Sequence, residues 1–142
     1  MSPEITMQEY ISKQQQIRRP ASQIFPLISN LSLLTPAVAD KVEDWQATED
    51  TCSFTLKGFK VALRILEKVE NKHVKISSDG GSVPADFVFW IQLHEVSTYD
   101  TRIRLVLHAE LNMMMRMMIG SKIQKALDQA VEGFANAFNT NA

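Results

Sequence analysis

Hydrophobic and polar positions change their period twice along this chain, and each change marks a new kind of element. From residue 5 to residue 17 the side chains alternate, with Ile5, Met7, Glu9, Ile11, Lys13, Gln15 and Ile17 on one line. A period of two over that length reads as one long strand with an apolar and a polar side. The next stretch, "PASQIFPLISNLSLLTP", places Ile24, Phe25, Ile28 and Leu31 at helical spacing. Pro20 suits the entry to a helix, whereas Pro26 lacks the backbone donor that a helix interior uses, so two short helices fit better than one long helix.

From Lys41 to Leu111 the period returns to two, and turn signals recur about every ten residues. They are Glu49-Asp50, Gly58, Asn71-Lys72, Asp79-Gly80-Gly81 and Tyr99-Asp100, and the segments between them predict a six-stranded antiparallel meander. One face gathers Cys52, Phe54 and Leu56, then Val61, Leu63, Ile65 and Val69, then Val74 and Ile76. It continues through Phe87, Phe89, Ile91 and Leu93 to Ile103, Leu105, Leu107 and Ala109. Lys60, Arg64, Lys68, His73, Lys75, Gln92, His94, Arg102, Arg104, His108 and Glu110 fall on the other face. A sheet that is wet on one side needs a cover on the other.

The last segment supplies that cover. At 100° per residue, Ile119, Ile123, Leu127, Ala130, Val131, Phe134, Ala137 and Phe138 fall within an arc of roughly 120°, with Lys122, Lys125, Asp128 and Glu132 outside it. An amphipathic helix of about seven turns follows, with Asn112 placed to cap it. The expected architecture is α+β: a curved seven-stranded antiparallel sheet around a long C-terminal helix, with two short helices after the first strand.

Composition narrows the function classes. The 142 residues suit a single domain, expected to span 1–142, and 45% hydrophobic with 22% charged residues is an ordinary globular balance. The net charge is −1 and basic residues do not cluster beyond Arg18-Arg19, which argues against a nucleic-acid surface. No apolar run reaches the roughly 18 residues of a membrane span, and "MSPEITMQEY" lacks a signal-peptide layout, so a cytoplasmic location is expected. Cys52 is the only cysteine, which reads as a small apolar core residue and excludes an internal disulfide.

The element order, together with specific stretches, resembles the START-like (SRPBCC) superfamily of the helix-grip fold, which includes the birch-pollen allergen and polyketide cyclase/dehydrase-like proteins. "IRRPASQIFPLISNLSLL" resembles the family's strand-to-helix entry. "DTCSFTLKGFKVALRILEK", "VPADFVFWIQL" and "TRIRLVLHAELN" resemble a bacterial branch of small members without a settled function. The resemblance covers essentially the whole chain, and it implies a cavity between sheet and C-terminal helix that holds an apolar molecule such as a lipid, isoprenoid or polyketide.

On that reading the ligand-binding candidates are Phe25, Leu34, Phe54, Leu56, Leu63, Ile65, Phe87, Phe89, Ile91 and Leu105, with Met113, Met117, Ile123 and Leu127 from the helix. Lys13, Glu67 and Arg116 fall on the inward lines and are candidate polar anchors, although a strand bulge would turn such residues to water. No catalytic set, cofactor or metal site is expected. If the last hairpin turns near Tyr99, His94 sits opposite Arg104 and His108 opposite Trp90, so the histidines do not converge.

Five of the seven methionines lie within "NMMMRMM" and wrap the first helical turns, which suits a pliable cavity entrance, a plug at the barrel end, or a homodimer contact. A carrier, chaperone or sensor of a small apolar ligand is the leading function. The alternatives are a polyketide cyclase/aromatase-like enzyme and a protein-interaction module.

Overall fold

The computed structural model describes residues 5–83 and 85–140. Residues 1–4 of "MSPEITMQEY" and Pro84 of "VPADFVFWIQL" lie outside the described residues. The chain opens with strands β1 (Ile5–Ile11) and β2 (Gln15–Ile17), followed by helix α1 (Ala21–Ile28), a 3₁₀ turn at Leu31–Leu34 and a short helix α2 (Thr35–Val38). Six strands then follow: β3 (Glu43–Ala47), β4 (Thr51–Leu56), β5 (Phe59–Val69), β6 (His73–Gly81), β7 (Phe87–Ser97) and β8 (Asp100–Asn112). Helix α3 (Met113–Thr140) completes the fold.

The sheet runs β1-β8-β7-β6-β5-β4-β3, and β2 also pairs with β8, so β1 and β2 occupy one edge in succession. Every pairing is antiparallel. The meander therefore forms as its alternation predicts, and β1 returns to close the sheet beside β8.

The expected single first strand is interrupted. Ile11 pairs with Val106 but Gln15 pairs with Ile103, so β1–β2 spends one residue more than β8 over this interval. An extra residue is a bulge, and it exchanges the two faces of the strand. Ile17 is fully buried, while Met7 and Ile11 are 55% and 42% exposed. The side chain of Ser12 fills the gap in the ladder: its Oγ accepts from Leu105 N at 2.8 Å and donates to the Lys13 carbonyl at 2.8 Å. The freed Lys13 N–H donates to Asp128 Oδ1 on α3 at 2.8 Å, which moors the helix to the edge strand.

Pro26 sits inside α1, which ends two residues later at Ile28. Its buried face, Ala21, Ile24 and Ile28, joins Leu31 and Leu34 in the core. Asp79-Gly80-Gly81 is not the turn that its composition suggests. β6 continues through Gly81, which pairs with Val61 and adopts φ +85° with its Cα so near Lys60 O that a Cβ would lie 2.5 Å from it. Only glycine combines that backbone with that approach.

Helix α3 starts where expected, with Asn112 Oδ1 accepting from Met115 N at 2.8 Å. Val131, Ala135 and Phe138 are buried against the sheet, each large apolar side chain stabilising the packing by roughly 1.5–3 kcal/mol. Polar contacts fasten the same flank to the β1–β2 edge. Gln124 Nε2 donates to Ile11 O at 2.8 Å, Asn139 Nδ2 donates to Gln16 O at 2.9 Å, and Lys13 pairs with Glu132. The helix is thus held on one side, and its other flank faces the interior between the short helices and β3–β5.

Candidate functional site

Between α3 and the concave side of the sheet lies a cavity of about 420 Å³, within the range of small-molecule sites. Strands β4 to β8 supply the floor through Cys52, Phe54, Leu63, Ile76, Phe89, Ile91, Leu105 and Leu107. Leu31, Leu34, Val38, Val42 and Trp45 form the end wall, and α3 contributes Ile123, Ala126, Leu127, Ala130 and Phe134. Trp45 and Phe54 stack with ring centres 5.9 Å apart.

The lining carries almost no polar chemistry. The Trp45 indole Nε1 is already spent on Thr35 Oγ1 at 2.8 Å. The Cys52 thiol, buried at the cavity floor, is pushed up to about 11 by desolvation and stays protonated at neutral pH. A protonated thiol is not a nucleophile. What the interior offers a guest is shape and carbon surface.

Ala126 and Ala130 line the cavity and are also exposed, so the cavity opens along this flank of α3. The mouth exists because the helix carries methyl groups there while Val38 and Val42 face it from the α2–β3 segment.

Of the residues singled out from sequence, the structure brings Leu34, Phe54, Leu63, Phe89, Ile91, Leu105, Ile123 and Leu127 together around this one space. Phe25, Ile65 and Phe87 pack against the core without lining it. Leu56, beside the β4–β5 hairpin, is 44% exposed. Met113 and Met117 are 68% and 77% exposed and stand away from the lining.

The three candidate anchors also lie outside the lining. Lys13 lies within the first bulge and pairs with Glu132 on the surface. Glu67 follows a second bulge, since Ile65 pairs with Ile76 and Glu67 already with Lys75, and it sits 3.6 Å from His73 Nε2. Arg116 is exposed, its guanidinium reaching Gln8 Oε1 at 3.4 Å. Glu9, on the same line as Lys13, turns outward to His108 Nε2 at 2.8 Å.

The strand alternation places Cys52, Ile76 and Leu107 on the inward face but does not single them out as site residues. It gives no signal for Val38 and Val42, which belong to an aperiodic segment, nor for Ala126, whose small side chain falls outside the apolar arc.

The histidines stay apart, in a register two residues from the expected one: His94 pairs with Arg102 and His108 with Val88. Ser97 pairs with Asp100 across a bulge, which places the turn at Thr98-Tyr99. Among the described residues no three His, Cys, Asp or Glu side chains gather as metal ligands. Trp90 packs edge-on to His108 at 4.7 Å under Lys75, an outer-face cluster.

A larger groove of about 840 Å³ lies around the β5–β6 turn, near His73, His94, Arg102 and Arg104. Its two arginines are committed to neighbours, Arg102 to Asp100 at 2.7 Å and Arg104 to Gln92 at 2.6 Å, while Lys72 also lines it. The smaller apolar cavity is the better candidate, because core residues wall it and its surface is uniformly apolar.

Solved structures with this architecture include norcoclaurine synthase from Thalictrum flavum, with a TM-score of 0.77 at 9% identity over 96% of this chain and 86% of that one. The helix-grip fold is settled by that match. The same enzyme has been solved in complex with dopamine and hydroxybenzaldehyde. An uncharacterised protein from Bacillus thuringiensis gives a TM-score of 0.63 at 10% identity, covering 94% of this chain and 98% of that one. The protein XoxI from Bacillus cereus gives 0.65 at 10% identity, over 92% and 94%. No family model and no curated sequence matches the chain. The likeness is therefore one of fold, and it agrees with the START-like resemblance of the sequence. No helix among the described residues is long and apolar enough to cross a membrane.

Proposed function

We propose that the protein binds a small apolar molecule, such as a lipid, isoprenoid or polyketide, in the cavity between the sheet and α3, as a carrier, chaperone or sensor without catalysis. The observation that carries this reading is the lining itself: about 420 Å³ bounded by carbon, with its one indole N–H internally satisfied and its one thiol protonated. Such a surface recovers hydrophobic free energy from a guest without asking it for hydrogen bonds. Proton transfer by a cyclase would need a titratable pair facing the substrate. Lys13, Glu67 and Arg116, the residues that could have supplied one, point elsewhere.

Native mass spectrometry of the purified chain tests the reading. A co-purified lipid-like mass that disappears in a folded Phe89→Arg variant supports it, and an empty chain that takes up no apolar compound opposes it.

The exposure of Met113, Met114, Met117 and Met118, between 66% and 77%, favours a second feature, a homodimer through this segment. Sedimentation of the wild type as a dimer and of a Met114→Glu/Met118→Glu variant as a monomer would support it; a monomeric wild type would end it.

A further inference from the structure

The cavity's interior is neutral, but its mouth is not. Lys41 stands between Val38 and Val42, two residues of the end wall, on the segment that faces α3 across the opening. Its Nζ reaches the helix, lying 3.5 Å from the point that a Cβ on Gly133 would occupy. Gly133 follows Ala126 and Ala130 at seven and three residues, which puts all three on one flank of α3. Between residues 126 and 133 that flank has no side chain larger than a methyl, and the ammonium group lies beside it.

Lys41 is exposed and takes part in no ion pair among the described residues, although Asp40 and Glu43 are close in sequence. Lys13, Arg64, Lys68 and Arg102, by contrast, are held in ion pairs.

We infer that the guest is an anionic amphiphile, an alkyl carboxylate whose tail fills the cavity and whose headgroup pairs with Lys41 at the mouth. This rests on the cavity being the binding site. Three features of the geometry favour it. An all-carbon interior cannot take a charged or strongly polar group without a partner, so any headgroup must remain at the rim. Lys41 brings an unpaired ammonium to the rim, and one such point charge matches a carboxylate better than a doubly charged phosphate. At roughly 30 Å³ per water-sized group, 420 Å³ accepts a tail of about a dozen heavy atoms.

Calorimetric titration with decanoate, 1-decanol and decylamine separates the headgroup from the tail. The wild type should bind decanoate and 1-decanol and discriminate against decylamine. Lys41→Gln should weaken decanoate about five- to tenfold and leave 1-decanol unchanged, while Lys41→Glu should weaken decanoate further and admit decylamine. Lys41 is exposed, so unchanged thermal unfolding of both variants confirms that the fold is intact. If Lys41→Gln leaves decanoate affinity unchanged, or weakens both compounds alike, the headgroup assignment is wrong while the cavity remains the site. If the wild type binds neither decanoate nor 1-decanol, the cavity reading fails and takes this inference with it.

Discussion

The indole of Trp45 donates to Thr35 Oγ1 at 2.8 Å, while the same hydroxyl donates to Ser32 O at 2.8 Å. This relay joins β3, α2 and the preceding 3₁₀ turn into one wall and satisfies the only indole N–H that the cavity would otherwise meet. Thr35→Val keeps the shape and removes the acceptor, leaving a half-buried donor unpaired. It should cost about 1–2 kcal/mol in urea unfolding.

The Cys52 thiol provides a pH signature. Its folded value is about 11 against an ordinary 9.0, because burial penalises the thiolate. A group raised in the folded state contributes stability that is complete below pH 9 and is lost as pH rises toward 11. The wild type should therefore lose roughly 2–3 kcal/mol more than Cys52→Ala between pH 8.5 and pH 11. At pH 8 the thiol should react with a disulfide reagent only as fast as the chain opens; equal alkaline losses in both proteins would contradict its burial.

At the first bulge, Ser12 stands in for a backbone acceptor. Ser12→Ala leaves the Leu105 N–H without its 2.8 Å partner in the middle of the sheet. A loss of about 1–3 kcal/mol is expected, with faster hydrogen exchange of the Leu105 amide as the local readout.

The cap of α3 is separable from the cavity. Asn112→Ala removes the acceptor for Met115 N–H and should lower stability by about 1 kcal/mol. Binding of an apolar guest should be unaffected, because Asn112 and the methionine segment after it lie outside the lining.

The alternation of the meander makes the sheet's inner face legible in the sequence alone, and Leu63, Ile91 and Leu105 stand where it puts them. Bulges are not legible, and they explain the misplaced anchors. An inserted residue exchanges the faces of a strand without breaking the written alternation, so Glu9 and Lys13 continue an apparently apolar line that Met7 and Ile11 present to solvent. At the second bulge Leu66 is likewise exposed, and Glu67 beside it turns to His73 rather than to the interior. The mouth is hidden for a different reason: it depends on what α3 lacks at Ala126, Ala130 and Gly133, and a hydrophobic arc registers only what is there. The wall from Val38 to Trp45 has no period at all, so only the folded chain shows that it closes the cavity.

Ala130 offers the most direct test of an apolar guest in this cavity, because it lines the space and is exposed, so a large side chain can enter from the mouth with little disturbance of the core. Fluorescence titration with the neutral probe N-phenyl-1-naphthylamine should show saturable binding of one molecule per wild-type chain and loss of that binding in an equally stable Ala130→Trp variant. Undiminished binding in Ala130→Trp, or no saturable binding in the wild type, would contradict the account.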